Sequence, residues 1–193
     1  MKEANEITVE VDTTLDNLNQ ILTENNFRLT EELDYNDIYM VNNNCIEKDP
    51  LKILDNCIII RNILTINDDI KQLVYKRKNY NDKKEILSQS QVNCHIVSLN
   101  EAQLFLEKIG YHKLIAINDH IKVYTNDKTE FAVQLVNGKH IYIELEQENK
   151  KINRTYSNIE EMKEDLQSYN IPIKNNDYFV KKAEIEILES MKW

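Results

Sequence analysis

The sequence predicts an α+β fold, a mainly antiparallel sheet of about eight or nine strands carrying roughly three or four helices, laid out as two repeated halves. Three observations carry this. A helical pattern recurs: Leu15, Leu18, Ile21 and Leu22 share one helix face, and Leu99, Ala102, Phe105 and Leu106 repeat it 84 residues later. The same offset links Phe27 to Tyr111, just past each helix. Runs of alternating apolar and polar residues precede and follow both helices, and short turn signals join them, as antiparallel neighbours require.

Each element has its own reason. Glu6–Val11 alternates as a strand. The first helix opens near Thr13 or Thr14 and closes at Asn25-Asn26, because Asn tolerates the left-handed conformation. An extended stretch then runs from Phe27 to about Met40. Leu54–Ile63, rich in isoleucine, and Lys71–Lys78, after the turn signal Asn67-Asp68-Asp69, are the next strands.

The second half opens with an extended run at 86–97 that contains Gln89, Gln91 and Asn93. Ser98 and Glu101 form a capping box, and Gly110 ends the helix. From Tyr111 to about Tyr124 the chain alternates, with Ile115, Ile117, Ile121 and Val123 on one side and Asn118, His120 and Lys122 on the other. Phe131–Val136 and His140–Glu146 form a hairpin across Asn137-Gly138. Ser157 and Glu160 read as a second capping box, opening a helix that carries Ile159, Met162 and Leu166. The tail from about Asp177 to Met191 reads as helix, although Ala183, Ile185 and Ile187 also alternate as a strand would. The chain is therefore a single domain over 1–193, with halves at about 5–82 and 85–147 and a helical C-terminal segment at about 157–191.

Composition excludes several functions. The chain has 193 residues, with 24 Lys+Arg against 33 Asp+Glu and a net charge of −9. That balance is a poor match to a nucleic-acid duplex, whose non-specific binding rests on phosphate neutralisation. The two glycines, Gly110 and Gly138, are too few for a phosphate-binding or dinucleotide-binding glycine loop. Cys45, Cys57 and Cys94 show no paired spacing and read as reduced thiols. No stretch approaches the ~18 apolar residues of a membrane span, and the N-terminus has no apolar signal region. The expectation is a soluble cytoplasmic protein, monomer or homodimer, with neither membrane nor nucleic-acid duplex as partner.

The polar strand faces are where chemistry can sit. A sheet with one wet face would show this pattern, and so would a barrel with a polar interior and helices outside. Glu6 and Glu10 flank Thr8 on one strand, and His140, Tyr142, Glu144 and Glu146 share a face of another. Carboxylates at i and i+2 lie roughly 7 Å apart on one side of a strand. Two such strands can hold a hard divalent cation through oxygen. Arg61, Lys76 and Lys122 are basic residues on apolar or mixed strands, where an inward charge needs a partner. Each pair alone also fits a solvated strand face. The run Lys76-Arg77-Lys78 with Lys83-Lys84 reads as a strand end and exposed loop, or as the mouth of an anion site. The four histidines have no metal-ligand spacing, and no Ser/His/Asp or Cys/His constellation is visible.

In this order of elements the chain resembles the CYTH superfamily, the triphosphate tunnel metalloenzymes that include class IV adenylate cyclases and thiamine triphosphatases. The resemblance runs from about Asn5 to Met191 and is best at Glu6–Glu10, Asn36-Asp37-Ile38-Tyr39, Arg61, Val74-Tyr75-Lys76 and Tyr142–Glu146. It implies an eight-stranded antiparallel barrel forming a charged tunnel that takes a triphosphate with Mg²⁺ or Mn²⁺. By position it implies Glu144 and Glu146 as catalytic residues, and Glu6, Glu10, Glu144 and Glu146 as metal ligands. Phosphates would meet Arg61, Lys76, Lys122 and His120.

The family's Glu-x-Glu-x-Lys strand reads Glu6, Thr8, Glu10 here, without the middle carboxylate and the lysine. Its paired arginines read Ile59 and Arg61, its Arg and Glu before the second helix read Gln89 and Gln91, and its later Lys-x-Arg pair aligns with His120 and Lys122 after a one-residue deletion. Lys76, Glu144 and Glu146 match directly. The expected function is metal-dependent hydrolysis of a triphosphate (tripolyphosphate, thiamine triphosphate or a nucleotide) or cyclisation of ATP. The alternatives are a catalytically reduced relative that binds an anion or a protein partner, and a plain acidic interaction module.

Overall fold

The structure, a computed structural model, describes residues 6–82 and 86–190, without the side chains of 87–89. Lys83, Lys84, Met191 and the side chain of Gln89 lie outside the described residues. The fold is α+β. The chain runs β1 (Glu6–Glu10), α1 (Leu15–Glu24), β2 (Arg28–Asn42), α2 (Pro50–Leu54), β3 (Cys57–Thr65), β4 (Asp69–Tyr80) and β5 (Ile86–His95). It continues as α3 (Leu99–Lys108), β6 (Tyr111–Thr125), β7 (Glu130–Val136) and β8 (His140–Glu146). A small ribbon of β9 (Glu148–Asn149) and β10 (Arg154–Thr155) precedes α4 (Ile159–Gln167) and α5 (Lys182–Ser190). No described helix is long and apolar enough to cross a membrane.

The eight long strands form one antiparallel sheet in the order β1-β8-β7-β6-β2-β3-β4-β5. β2 and β6 pair at its centre, and the strand that opens each half pairs with the last strand of the other: β1 with β8, β5 with β4. The expected barrel is not closed by hydrogen bonds among the described residues, because the ladder ends at β1 and β5. Residues 178–180 take the outer edge of β1 instead: Thr8 N–H donates to Tyr178 O and Val180 N–H to Thr8 O, both at 3.0 Å. The sheet is nevertheless strongly curled, since Glu6 on β1 meets Lys78 on β4 at 2.5 Å.

Curling divides the side chains into two environments. On the convex face, Ile7, Val9, Phe131 and Leu145 pack against Leu18 and Leu22 of α1 and Met162 and Leu166 of α4. Ala102 and Leu106 of α3 cover Met40 and Ile60 of β2 and β3. The helices thus bury the apolar faces and leave the polar ones in the concavity. One end of the concavity is filled by α5, whose Ile187 packs on Ile117, Val136 and Tyr142.

Local signals explain most boundaries. Thr14 accepts a hydrogen bond from Asn17 N and caps α1, and Ser98 accepts from Glu101 N and caps α3. Asn26 (φ 61°) and Gly110 (φ 92°) turn the chain out of the two helices. Asn137 and Gly138 are both left-handed, and Lys139 N donates to Val136 O, the type I′ turn that matches strand twist.

Three boundaries differ from expectation. α4 is capped one residue later, by Asn158, while Glu161 rather than Glu160 reaches back to Ser157 N. The short helix α2 was not expected; Asp49 accepts from Leu51 N at its start and Pro50 fits the first turn, where no N–H is needed. In the tail, Phe179 makes an isolated bridge to Thr8 before α5 begins, and Ala183, Ile185 and Ile187, which alternate as a strand would, lie within α5, so the helical reading holds there.

Candidate functional site

Strand alternation places one polar residue after another on the concave face. β1 contributes Glu6 and Thr8, β2 Tyr35 and Asp37, β3 Arg61, β4 Lys76 and Lys78, β6 Asp119, β7 Gln134 and β8 Glu144. Together with Lys181 and Lys182 at the start of α5 they line a cavity of about 240 Å³. Basic and acidic groups are balanced there, five of each: Arg61, Lys76, Lys78, Lys181 and Lys182 against Glu6, Asp37, Asp55, Asp119 and Glu144.

Most of these charges are paired. Arg61 grips Asp37 from the neighbouring strand through Nε and Nη2, at 2.7 and 2.6 Å, and its guanidinium lies 4.5 Å from the centre of the Tyr35 ring. Burial alone would lower the Arg61 pKa, but Asp37 more than offsets it. Lys182 Nζ donates to Gln134 Oε1, and lies 3.3 Å from Glu144 Oε2 and 3.4 Å from Asp119 Oδ2. Burial would raise the Glu144 carboxyl, yet Lys182, Lys78 and Lys76, with Gln134, hold it at about 2.

Two groups are less settled. Burial raises Asp119 despite Lys182, and Glu144 and Asp37 push it the same way. Its Oδ1 is buried with no hydrogen-bond partner among the described residues. Lys76 forms no ion pair among the described residues; burial and then the neighbouring charge of Lys78 bring its ammonium down to about 8. An orphaned carboxylate oxygen and a weakened ammonium lining one cavity are the kind of perturbation that concentrates in functional sites.

Of the residues singled out from the sequence, the structure brings Glu6, Arg61, Lys76 and Glu144 together in the cavity. It places four elsewhere. His120 and Lys122 are on the opposite face of β6, because the inward residues of that strand are Ile117, Asp119 and Ile121. There His120 pairs with Asp34 and Glu32, at 2.7 and 3.0 Å, and Lys122 lies 3.5 Å from Glu32. Glu146 is exposed at the end of β8, outside the cavity lining. Glu10 lies beyond the opposite end of the cavity, where His140 at 3.0 Å and Lys174 at 2.9 Å hold it.

Sequence reading missed Asp37, Asp119, Gln134 and Lys182 as site residues, and saw Lys78 only as part of a basic run at a strand end or the mouth of an anion site. Asp119 had a signal, a lone carboxylate in line with Ile115, Ile117 and Ile121. Lys78 shares strand parity with Lys76, while Arg77 between them is exposed. Nothing local marks Lys182, which only tertiary packing of the tail delivers.

No family model and no curated sequence matches the chain. Solved structures do. PH1819 from Pyrococcus horikoshii OT3 aligns with 98% of this chain and 99% of its own at a TM-score of 0.68 and 16% identity. HpAC1 from Hippeastrum, assigned as an adenylyl cyclase and showing a dominant triphosphatase activity, aligns with 98% and 97% at 0.60 and 14%. The chain has a CYTH-type fold. A chain of the Schizosaccharomyces pombe Mediator head module also aligns, over 89% of this chain and 97% of its own, at 0.56 and 11%. At these identities the likeness concerns fold alone.

Proposed function

We propose that the chain binds and processes a triphosphate compound, together with a divalent cation, on the concave face of the curled sheet. The observation that carries this reading is the convergence of Arg61, Lys76, Lys78 and Lys182 on the carboxylates Glu6, Asp119 and Glu144 in one cavity. The likeness to HpAC1 adds the substrate class. The reaction is hydrolysis of a phosphoanhydride, or cyclisation where the triphosphate belongs to ATP.

The charge balance gives the cation its place. A lining with equal numbers of acidic and basic groups cannot neutralise a polyanion by itself, so positive charge must arrive with it. Glu144, Asp119 and Glu6 would hold Mg²⁺ or Mn²⁺, since the donor set is all oxygen and Asp119 Oδ1 is a buried acceptor without a partner among the described residues. Such an ion offsets phosphate charge and polarises a phosphoryl oxygen. The chain's own donors then orient the phosphates. Lys76 and Lys182 offer ammonium protons, and Arg61 retains guanidinium donors beyond the two spent on Asp37.

A second reading is favoured by one observation. The Lys182 ammonium already sits on Glu144, Asp119 and Gln134, oxygens that a metal would use. A protein that keeps its own cation there would bind an anion, or a partner protein, without turnover, and a chain of the Mediator head module, part of a multiprotein assembly, has a similar fold. Phosphate release from tripolyphosphate, with Mg²⁺ and then Mn²⁺, separates the two. Metal-dependent release that falls at least 100-fold in Glu144→Gln supports the first reading. Tripolyphosphate binding by calorimetry with no release supports the second.

A further inference from the structure

We propose that His140, Glu186 and Glu189 form a separate zinc(II) site that clips α5 to β8. One potential ligand atom from each lies within 4.8 Å of the others. The three come from two elements, His140 from the start of β8 and the glutamates from one face of α5.

The imidazole is arranged as a metal ligand needs. Its Nδ1 faces Glu10 Oε1 at 3.0 Å, and Glu10 is held in turn by Lys174 Nζ at 2.9 Å. A carboxylate accepting from Nδ1–H fixes the tautomer and leaves Nε2 with its lone pair, the usual outer support of a zinc-bound histidine. That Nε2 lies 3.2 Å from Glu189 Oε1. A tetrahedron with bonds of about 2.0 Å has edges of about 3.3 Å, so the pair is already spaced as two zinc ligands.

An independent observation points to a ligand. Glu186 is only 8% exposed. Its Oε2 accepts from Asn137 Nδ2 at 2.6 Å, while Oε1 is buried with no partner among the described residues. Leaving a buried carboxylate oxygen unmatched is costly, and a cation would match it. The Tyr142 ring lies 6.0 Å from the His140 ring, and the buried Tyr142 hydroxyl also lacks a partner among the described residues. Three carboxylates, Glu10, Glu186 and Glu189, meet here around one imidazole, with Lys174 on Glu10 and Lys139 at the cleft wall.

The donor set selects the ion. One imidazole nitrogen and two carboxylate oxygens suit zinc, which outranks Mn²⁺ at mixed nitrogen and oxygen sites, whereas Mg²⁺ takes oxygen. The site is distinct from the triphosphate cavity, from which none of its three ligands is drawn. An open cleft lined by Lys139, Glu186, Glu189 and Ser190 gives entry. The bound ion would fasten α5, whose first residue is Lys182, to the sheet.

Calorimetric titration of the full chain, stripped with EDTA and dialysed, tests this with zinc chloride alone and then in excess magnesium chloride. One equivalent should bind in both, and hydrogen exchange in 182–190 should slow. His140→Gln and Glu189→Gln should each weaken binding at least 10-fold, Glu10→Gln should do so by about 10–100-fold, and His120→Gln should leave it unchanged. Glu189 is partly exposed, so its variant keeps the test sound if His140→Gln misfolds. Absence of zinc binding overturns the proposal. So does binding that survives both ligand variants or is lost in His120→Gln.

Discussion

The ammonium of Lys182, the first residue of α5, lies 3.3 Å from the Glu144 carboxylate on β8. A cation from the last helix thereby sits on the acid that the sequence marks most clearly as a metal ligand. The same ammonium lies 3.4 Å from Asp119. Three charges from three elements are joined at one point, and each governs the ionisation of the others.

Lys182→Met tests whether these acids accept a metal. Without the ammonium, Glu144 and Asp119 lose their shared partner, which should destabilise the fold by about 1–3 kcal/mol. Millimolar Mn²⁺ should restore part of that loss, raising the melting temperature of the variant more than that of the parent. Equal shifts in both proteins would show that the acids do not take the ion.

Acid should undo the Glu144 contribution. Its pKa is held at about 2 against 4.5 for the ordinary group. A depressed carboxyl stabilises fully above the unfolded value and loses that contribution as pH falls from 4.5 toward 2. Urea unfolding at pH 6 and pH 3 should show a smaller drop in Glu144→Gln than in the parent.

The Arg61–Asp37 pair should behave as a unit. Asp37 is buried and its carboxylate is held bidentately, so Arg61→Met strands a charge at a cost of roughly 3–5 kcal/mol. Asp37→Asn with Arg61→Met should be less destabilised than the sum of the single variants. A double-mutant cycle in urea measures the difference.

Lys76 should make anion binding pH-dependent. With its ammonium near 8, a bound phosphate favours the protonated form and the free site releases the proton as pH rises. Tripolyphosphate affinity should therefore fall above pH 8, by up to about tenfold per unit. Lys76→Met should bind more weakly at pH 7 and lose this part of the slope between pH 7 and pH 9.5.

The fold was readable because its signals are local. The helices at 15 and 99, the Asn137-Gly138 hairpin and the polar and apolar faces of β1 and β8 each follow from short-range pattern. Half of the proposed site followed from the same parity, since Glu6, Arg61, Lys76 and Glu144 lie on inward strand positions. Parity also explains what went astray. The isoleucines at 115, 117 and 121 suggested a buried face turned away from chemistry, which left His120 and Lys122 as the polar candidates. The inward face of β6 is that isoleucine face, and Asp119 sits within it. Lys182 and the pairing of 178–180 with β1 depend on contacts far apart in sequence, which no local pattern encodes.

The exchange of opening strands has a consequence for how the chain is made. β1 leaves the ribosome ahead of its hydrogen-bonding partner β8, which follows well over a hundred residues later. At about 5–20 residues per second the nascent chain carries Ile7 and Val9 unprotected for on the order of ten seconds. The glutamates that frame this strand, Glu6 and Glu10, keep charge at both ends of a short apolar segment throughout that interval. Residues that serve ion pairs in the finished molecule would thus also act as gatekeepers during synthesis, discouraging association between neighbouring nascent chains.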